Sequence, residues 1–233
     1  MHYRSYRFLT PLIMVLTWAN MEAQTSHPVP RLVVNVTIDQ LRTDYMEAFS
    51  SLFGAGGFNK VMRDGRSYMD AAYPFSHIDR ASAVACIMTG TVPYDNGIVG
   101  GRWMDRKTLR PMYCVDDTAC EGWLTSEKYS PVALNVSTVT DELKMATGGR
   151  ALVYSIAPDA DAAILAAGHA ADGAFWIDNA SGQWSSTSYY GLYPDWALRY
   201  DVSDRLSGRI SDLSWTPISP IVENFNFFTS PQE

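Results

Sequence analysis

The chain has 233 residues, 47% of them hydrophobic, 18% charged and 12% aromatic, a profile that argues against both a disordered polypeptide and a simple helical bundle. Eighteen Lys and Arg against 25 Asp and Glu leave a net charge of −7 with no basic stripe, which excludes a protein that tracks a nucleic-acid phosphate backbone.

Residues 1–23 read as a secretory signal peptide. His2, Arg4 and Arg7 precede an apolar run over residues 8–19, which is too short to span a bilayer, and Ala23 offers a small-residue cleavage site. Export to the periplasm or beyond follows from cleavage near Ala23, and no other stretch is long enough for a membrane span. Residues 24–30 form a polar linker, and residues 31–233 make up the expected folded portion.

The β-branched run at residues 31–38 predicts a strand covered on both faces and ending at Asp39. Leu41, Tyr45, Met46 and Phe49 have helical spacing up to the glycines at 54, 56 and 57, and a short helix is expected over 58–63, closing at Gly65. Residues 67–72 read as a strand, 74–79 as a loop and 80–88 as a small-residue helix suited to close packing. The charged clusters at residues 102–106 and 116–117 read as solvated loop surface. A capped helix over 137–146 ends at Gly148 and Gly149, and an apolar strand follows at 151–156. Residues 173–177 and 183–190, separated by the turn-forming segment 178–182, predict a β-hairpin decorating the main sheet. The alternation of strands and helices is the α/β pattern.

Three cysteines are present. Cys114 and Cys120 are spaced to close a short disulfide loop, Cys86 reads as a small core hydrophobe, and the lack of a CxxC pair argues against a structural zinc site. Asp39, at the carboxyl end of the first buried strand, lies where open α/β sheets gather ligands, and serves either as a metal ligand or as a helix cap. The helix beginning at Arg80 presents N–H groups suited to an anion, or is simply a buried helix.

Several motifs in order carry a likeness to a known group: Val36-Thr37-Ile38-Asp39-Gln40-Leu41, Thr89-Gly90-Thr91-Val92-Pro93, Trp103-Met104-Asp105, Tyr113-Cys114-Val115-Asp116, Thr138-Val139-Thr140-Asp141, Ala167-Gly168-His169 and Gly173-Ala174-Phe175-Trp176. Over roughly residues 30–200 the chain resembles the N-terminal half of the alkaline-phosphatase superfamily, in the bacterial secreted phosphatase and type I phosphodiesterase/nucleotide pyrophosphatase branch. The resemblance implies an alkaline-phosphatase-like doubly wound sheet, incomplete here, and metal-dependent hydrolysis of phosphate mono- or diesters. It also implies two zinc ions that activate a Thr or Ser nucleophile and stabilise the leaving oxygen of an in-line displacement. Asp39 matches the first metal-binding Asp.

The departures from the pattern are specific. Counting back from Thr89 places Arg80 in the nucleophile slot, and a guanidinium, always protonated and without an available lone pair, cannot attack phosphorus. Ser82 is the first substitute, with Ser76 and Asp79 nearby. The phosphate-binding Asn of the resemblance falls at Gly101, Val84 replaces a His, and the segment 157–162, where the resemblance implies a Lys and an Arg, carries Asp159 and Asp161. His27, His77 and His169 match no downstream ligand motif, so the zinc pair is not expected to be retained, and the chain is expected to be a truncated form. Three readings follow: a phosphate-ester hydrolase when complete but catalytically incompetent as it stands, an exported anion-binding or regulatory pseudoenzyme, or a non-functional fragment exposing apolar surface. A phosphate ester or other small anion is the expected partner.

Overall fold

A computed structural model describes residues 30–202 and 212–214; the expected signal peptide and most of the polar linker lie outside the described residues. Two units divide the chain, Met1–Asn35 and Val36–Glu233. In the first, residues 32–35 adopt no regular structure, with Leu32 and Val34 strongly exposed.

The second unit opens with Val36 and Ile38, also exposed and in no strand. The expected strand over 31–38 is therefore not formed. β-branched residues favour extended backbone, but a strand is stabilised by ladder pairing and burial, and this run pairs with no strand among the described residues and leaves its large apolar side chains exposed. Helix α1, Thr43–Ala48, is shorter than its apolar spacing suggests, and a 3₁₀ turn, Ser50–Leu52, follows it. Helix α2 spans Gly57–Asp64, close to expectation. Residues 67–72 form turns and irregular backbone instead of the expected strand.

Helix α3, Arg80–Thr89, begins with reciprocal capping: the Asp79 carboxylate accepts from the Ser82 N–H and the Ser82 hydroxyl accepts from the Asp79 N–H. It stops at Gly90, whose φ of 68° is left-handed. A single helical turn, α4, follows at Pro93–Asn96. Strands β1, Arg102–Met104, and β2, Pro111–Tyr113, pair antiparallel, so part of the expected solvated loop at 102–106 is strand. Asp116 and Asp117 are likewise engaged: Asp116 accepts from the Tyr113 N–H, and Asp117 from the Ala119 N–H and the Ser130 hydroxyl.

Strand β3, Gly122–Trp123, is followed by helix α5, Val139–Ala146, which Thr138 and Asp141 cap reciprocally. Then come β4, Tyr154–Ile156; α6, Ala160–Ala167; β5, Gly173–Ile177; β6, Trp184–Thr187; a 3₁₀ turn, Ser188–Tyr190; and α7, Asp195–Val202. Four strands join in the order β3-β6-β5-β4. β4 and β5 run parallel across α6, and β5 and β6 form the expected hairpin, with Trp176 opposite Ser185. That hairpin is central to the sheet, not a decoration on it, because β5 also carries the parallel pairing that buries its apolar residues on both faces.

The core lies between α3, α6 and β5. Ala81 and Ala85 face the alanine-rich α6, where Ala163, Ile164, Leu165 and Ala167 are fully buried, and Trp176 closes the cluster from the sheet. Small side chains let the two helices approach closely, which brings their N-termini together. Cys114 and Cys120 are free thiols: Cys114 points into this core, while the Cys120 Sγ donates to Asp117, so no disulfide joins them. Cys86 is half-buried instead of a core residue.

Candidate functional site

The adjacent N-termini of α3 and α6 build the site. Arg80 is the first residue of α3, Asp159 caps α6 by position and Asp161 lies in its first turn. The Arg80 guanidinium forks onto Asp161, with Nε 3.1 Å from Oδ1 and Nη2 3.2 Å from Oδ2, while its Nη1 donates to Asp159 Oδ2 at 2.6 Å. The Asp161 side chain is 4% exposed, whereas Arg80 and Asp159 are 36% and 41% exposed. The Asp161 N–H donates to the Tyr113 hydroxyl, which ties the cluster to β2.

A cation at a helix N-terminus opposes the helix dipole, so Arg80 needs compensation, and the carboxylates supply it. Burial works against its charge, but the hydrogen bond to Asp161 and then the charges of Asp161 and Asp159 raise its pKa further. Asp79 stands behind the helix start, where its Oδ2 accepts from the Gly101 N–H. Burial would push the Asp79 carboxyl up, yet the N–H groups of Ser82 and Gly101 and the Ser82 hydroxyl hold it below the usual carboxylate range. The Arg80 guanidinium is thus held between two carboxylates, which offset its charge at the helix start.

A cavity of about 260 Å³ opens beside this cluster, lined among others by Arg80, Arg102, Tyr113, Glu127, Tyr129 and Asp159. Arg102 lies over the Tyr113 ring, 4.9 Å from its centroid, and Trp176 Nε1 donates to Glu127. A second cavity of about 200 Å³, between the aromatic residues of β5, β6 and α7, is lined by no charged side chain and is almost wholly apolar.

The other residues singled out in the sequence fall elsewhere. Asp39 is exposed in a turn next to Gln40, whose φ is 58°, and does not end a sheet strand. Ser82 is fully buried and its hydroxyl donates into the Asp79 carboxylate at 2.9 Å, so it serves as a helix cap. Ser76 and His77 are exposed in the preceding loop. His169 bridges Asp141 and the Leu134 carbonyl, joining the end of α6 to α5.

Among the described residues no three His, Cys, Asp or Glu side chains converge as metal ligands. With Arg80 holding Asp159 and Asp161, the donors of this site among the described residues do not make up the ligand set of a pair of zinc ions, each of which wants about four ligands.

Residues 33–226 match the Type I phosphodiesterase / nucleotide pyrophosphatase family. The chain belongs to that family. Alkaline phosphatase PhoV of Synechococcus elongatus is 38% identical over 196 residues, covering 82% of this chain and 36% of the relative. Alkaline phosphatase PafA of Elizabethkingia meningoseptica is 29% identical over 220 residues, covering 92% of this chain and 40% of the relative. A crystal structure of wild-type PafA is similar with a TM-score of 0.78 at 31% identity, over 83% of this chain and 38% of that one. A PafA variant substituted at a threonine, an asparagine, a lysine and an arginine gives a TM-score of 0.71 at 30% identity, with the same coverage. The fold is alkaline-phosphatase-like with an incomplete sheet, and the chain spans less than half the length of these relatives. Among the described residues no helix of this family member is long and apolar enough to cross a membrane.

Sequence reading singled out Arg80 and noted the acidic segment 157–162, but missed that the two are partners. The legible signal was the reciprocity of the substitutions: a cation where a neutral nucleophile is expected, and two acids where cations are expected. Arg102 reads only as solvated loop surface, Tyr113 only as part of a family motif and Glu127 not at all, because nothing local marks residues that meet only through tertiary packing.

Proposed function

We propose that this chain is a non-catalytic member of the phosphoryl-hydrolase family to which it belongs, with an internal ion-pair cluster replacing the phosphate-ester site. The carrying observation is the fork of Arg80 onto Asp161 with Asp159 on its other side. In the PafA variant, the threonine and asparagine are separated by the same interval as Arg80 and Gly101, and the lysine and arginine by the same interval as Asp159 and Asp161. On that correspondence all four positions have changed character: the hydroxyl has become a cation, the amide has been lost, and two cations have become acids.

The chemistry follows from the charges. A phosphate dianion approaching Arg80 meets Asp159 and, behind it, the buried Asp161, and two like unit charges 4 Å apart repel by about 4 kcal/mol at an effective dielectric of about 20. Arg80 is already paired to two carboxylates that use three of its five N–H donors and offset its charge, and this weakens the anion-binding alternative as well. Neither Arg80 nor the capping hydroxyl of Ser82 is an available nucleophile. The residues present do not hold a zinc pair, so no step is assigned to one. Export after cleavage near Ala23 is part of this proposal, checked by N-terminal sequencing of protein recovered from the periplasm.

The test is turnover by the full chain of p-nitrophenyl phosphate and bis(p-nitrophenyl) phosphate, with and without added zinc. No nitrophenol release is expected, from the parent or from Arg80→Thr, because one hydroxyl with the freed Asp159 and Asp161 still falls short of the about four ligands that each of two zinc ions wants. Zinc-dependent release by either protein would overturn the reading.

A further inference from the structure

The cavity beside the ion-pair cluster carries charges of both signs on opposite members of its lining. Arg80 is paired to Asp159 and Asp161, whereas Arg102 makes no ion pair among the described residues and holds its guanidinium over the Tyr113 ring. Asp159 uses only Oδ2 on Arg80, and its Oδ1 has no hydrogen-bond partner among the described residues. Glu127 adds a second carboxylate, half-buried and held by the Trp176 indole N–H at 3.3 Å. Tyr113 and Tyr129, in edge contact with ring centroids 5.3 Å apart, form an aromatic wall of the cavity.

This lining rejects simple ions of either sign. A lone anion drawn to Arg102 must sit near Asp159 and Glu127, and a lone cation drawn to those carboxylates must sit near Arg80 and Arg102; like-charge juxtaposition costs several kcal/mol in a confined site. A molecule carrying both charges a few ångströms apart avoids both penalties. The cavity, about 260 Å³, lies near the lower end of small-molecule sites.

We propose that this cavity binds a small zwitterion of the α-amino-acid class, with its carboxylate on Arg102, its ammonium shared by Asp159 Oδ1 and Glu127, and its side chain against the tyrosine wall. The proposal deepens the non-catalytic reading and rests on it, since it requires Arg80 to remain paired in place of receiving phosphate.

Three matched probes with the same ring test it by titration calorimetry on the full chain: L-phenylalanine, L-phenylalaninamide, which carries only the cation, and 3-phenylpropanoate, which carries only the anion. L-phenylalanine is expected to bind at millimolar concentration or below, and each singly charged analogue at least tenfold more weakly. Arg102 is an exposed side chain on a short strand, so Arg102→Ala should leave the far-ultraviolet circular dichroism unchanged, weaken L-phenylalanine about tenfold and leave phenylalaninamide unaffected. Asp159→Asn should weaken L-phenylalanine and relieve the discrimination against 3-phenylpropanoate. Absence of L-phenylalanine binding at millimolar concentration, equal binding of the three probes, or unchanged affinity in Arg102→Ala would each overturn the proposal. Nitrophenyl-ester turnover is read separately: turnover sinks the non-catalytic reading, whereas absent zwitterion binding with no turnover sinks only the ligand assignment.

Discussion

Replacing Arg80 with methionine, which keeps much of the aliphatic stem and deletes the charge, leaves Asp161 inside the protein with its main counter-ion gone. Removing one partner of a fully buried pair costs about 3–5 kcal/mol, and of an exposed pair about 0–1 kcal/mol. The Asp161 side chain is 4% exposed and that of Arg80 36%, so an intermediate cost of about 2 kcal/mol is expected after the relief of removing a cation from a helix N-terminus. For a chain of this size that corresponds to a fall in Tm of about 4–8 °C. Asp161→Asn, which leaves Arg80 paired to Asp159, should cost about 1 kcal/mol, and the double variant about 2 kcal/mol, because the second change removes the orphaned charge left by the first. Asp159→Asn, acting on a largely exposed pair, should change stability by no more than about 0.5 kcal/mol. Urea unfolding of the four proteins, with unchanged m-values, measures each term. Strict additivity of the Arg80 and Asp161 changes, or an Arg80→Met variant as stable as the parent, would refute the claim that this pair is an energetically coupled lock.

Asp141 supplies a pH prediction. Burial opposes its charge, but the N–H groups of Thr138 and Ala170 together with His169 hold its carboxyl below the ordinary range, so its stabilisation is present above the unfolded value near about 3.9 and is lost as pH falls through the folded one. Asp141→Asn should cost about 2 kcal/mol at neutral pH and flatten the acid limb of the stability curve, read by urea titrations across acidic pH. Gly168 has a φ of 77° and ψ of −163°, and an added Cβ would collide with the Thr138 hydroxyl, so Gly168→Ala should lower stability by about 2 kcal/mol or more, measured by thermal unfolding. Thiol titration in denaturant without reductant should give three free cysteines; natively, half-buried Cys86 should react before Cys114, whose thiol burial pushes well above its usual range.

The sequence by itself determined the local features. The capped start of the helix over 137–146 is legible because its capping partners lie three residues apart, and the turn over residues 178–182 announces the β5–β6 hairpin, whereas Asp79 and Ser82 read as substitute nucleophiles and prove to be a helix cap. The order of motifs was enough to recognise the family, and residue counting placed Arg80 in the nucleophile slot. Tertiary structure alone decided the rest. The apolar run at residues 31–38 looks like a core strand, but a strand exists only with neighbours, and its exposure removed the reason for reading Asp39 as a residue at a strand end. Arg80 and the acids of α6 are about eighty residues apart in sequence, and only the close packing of two alanine-rich helices turns three separate charges into one site.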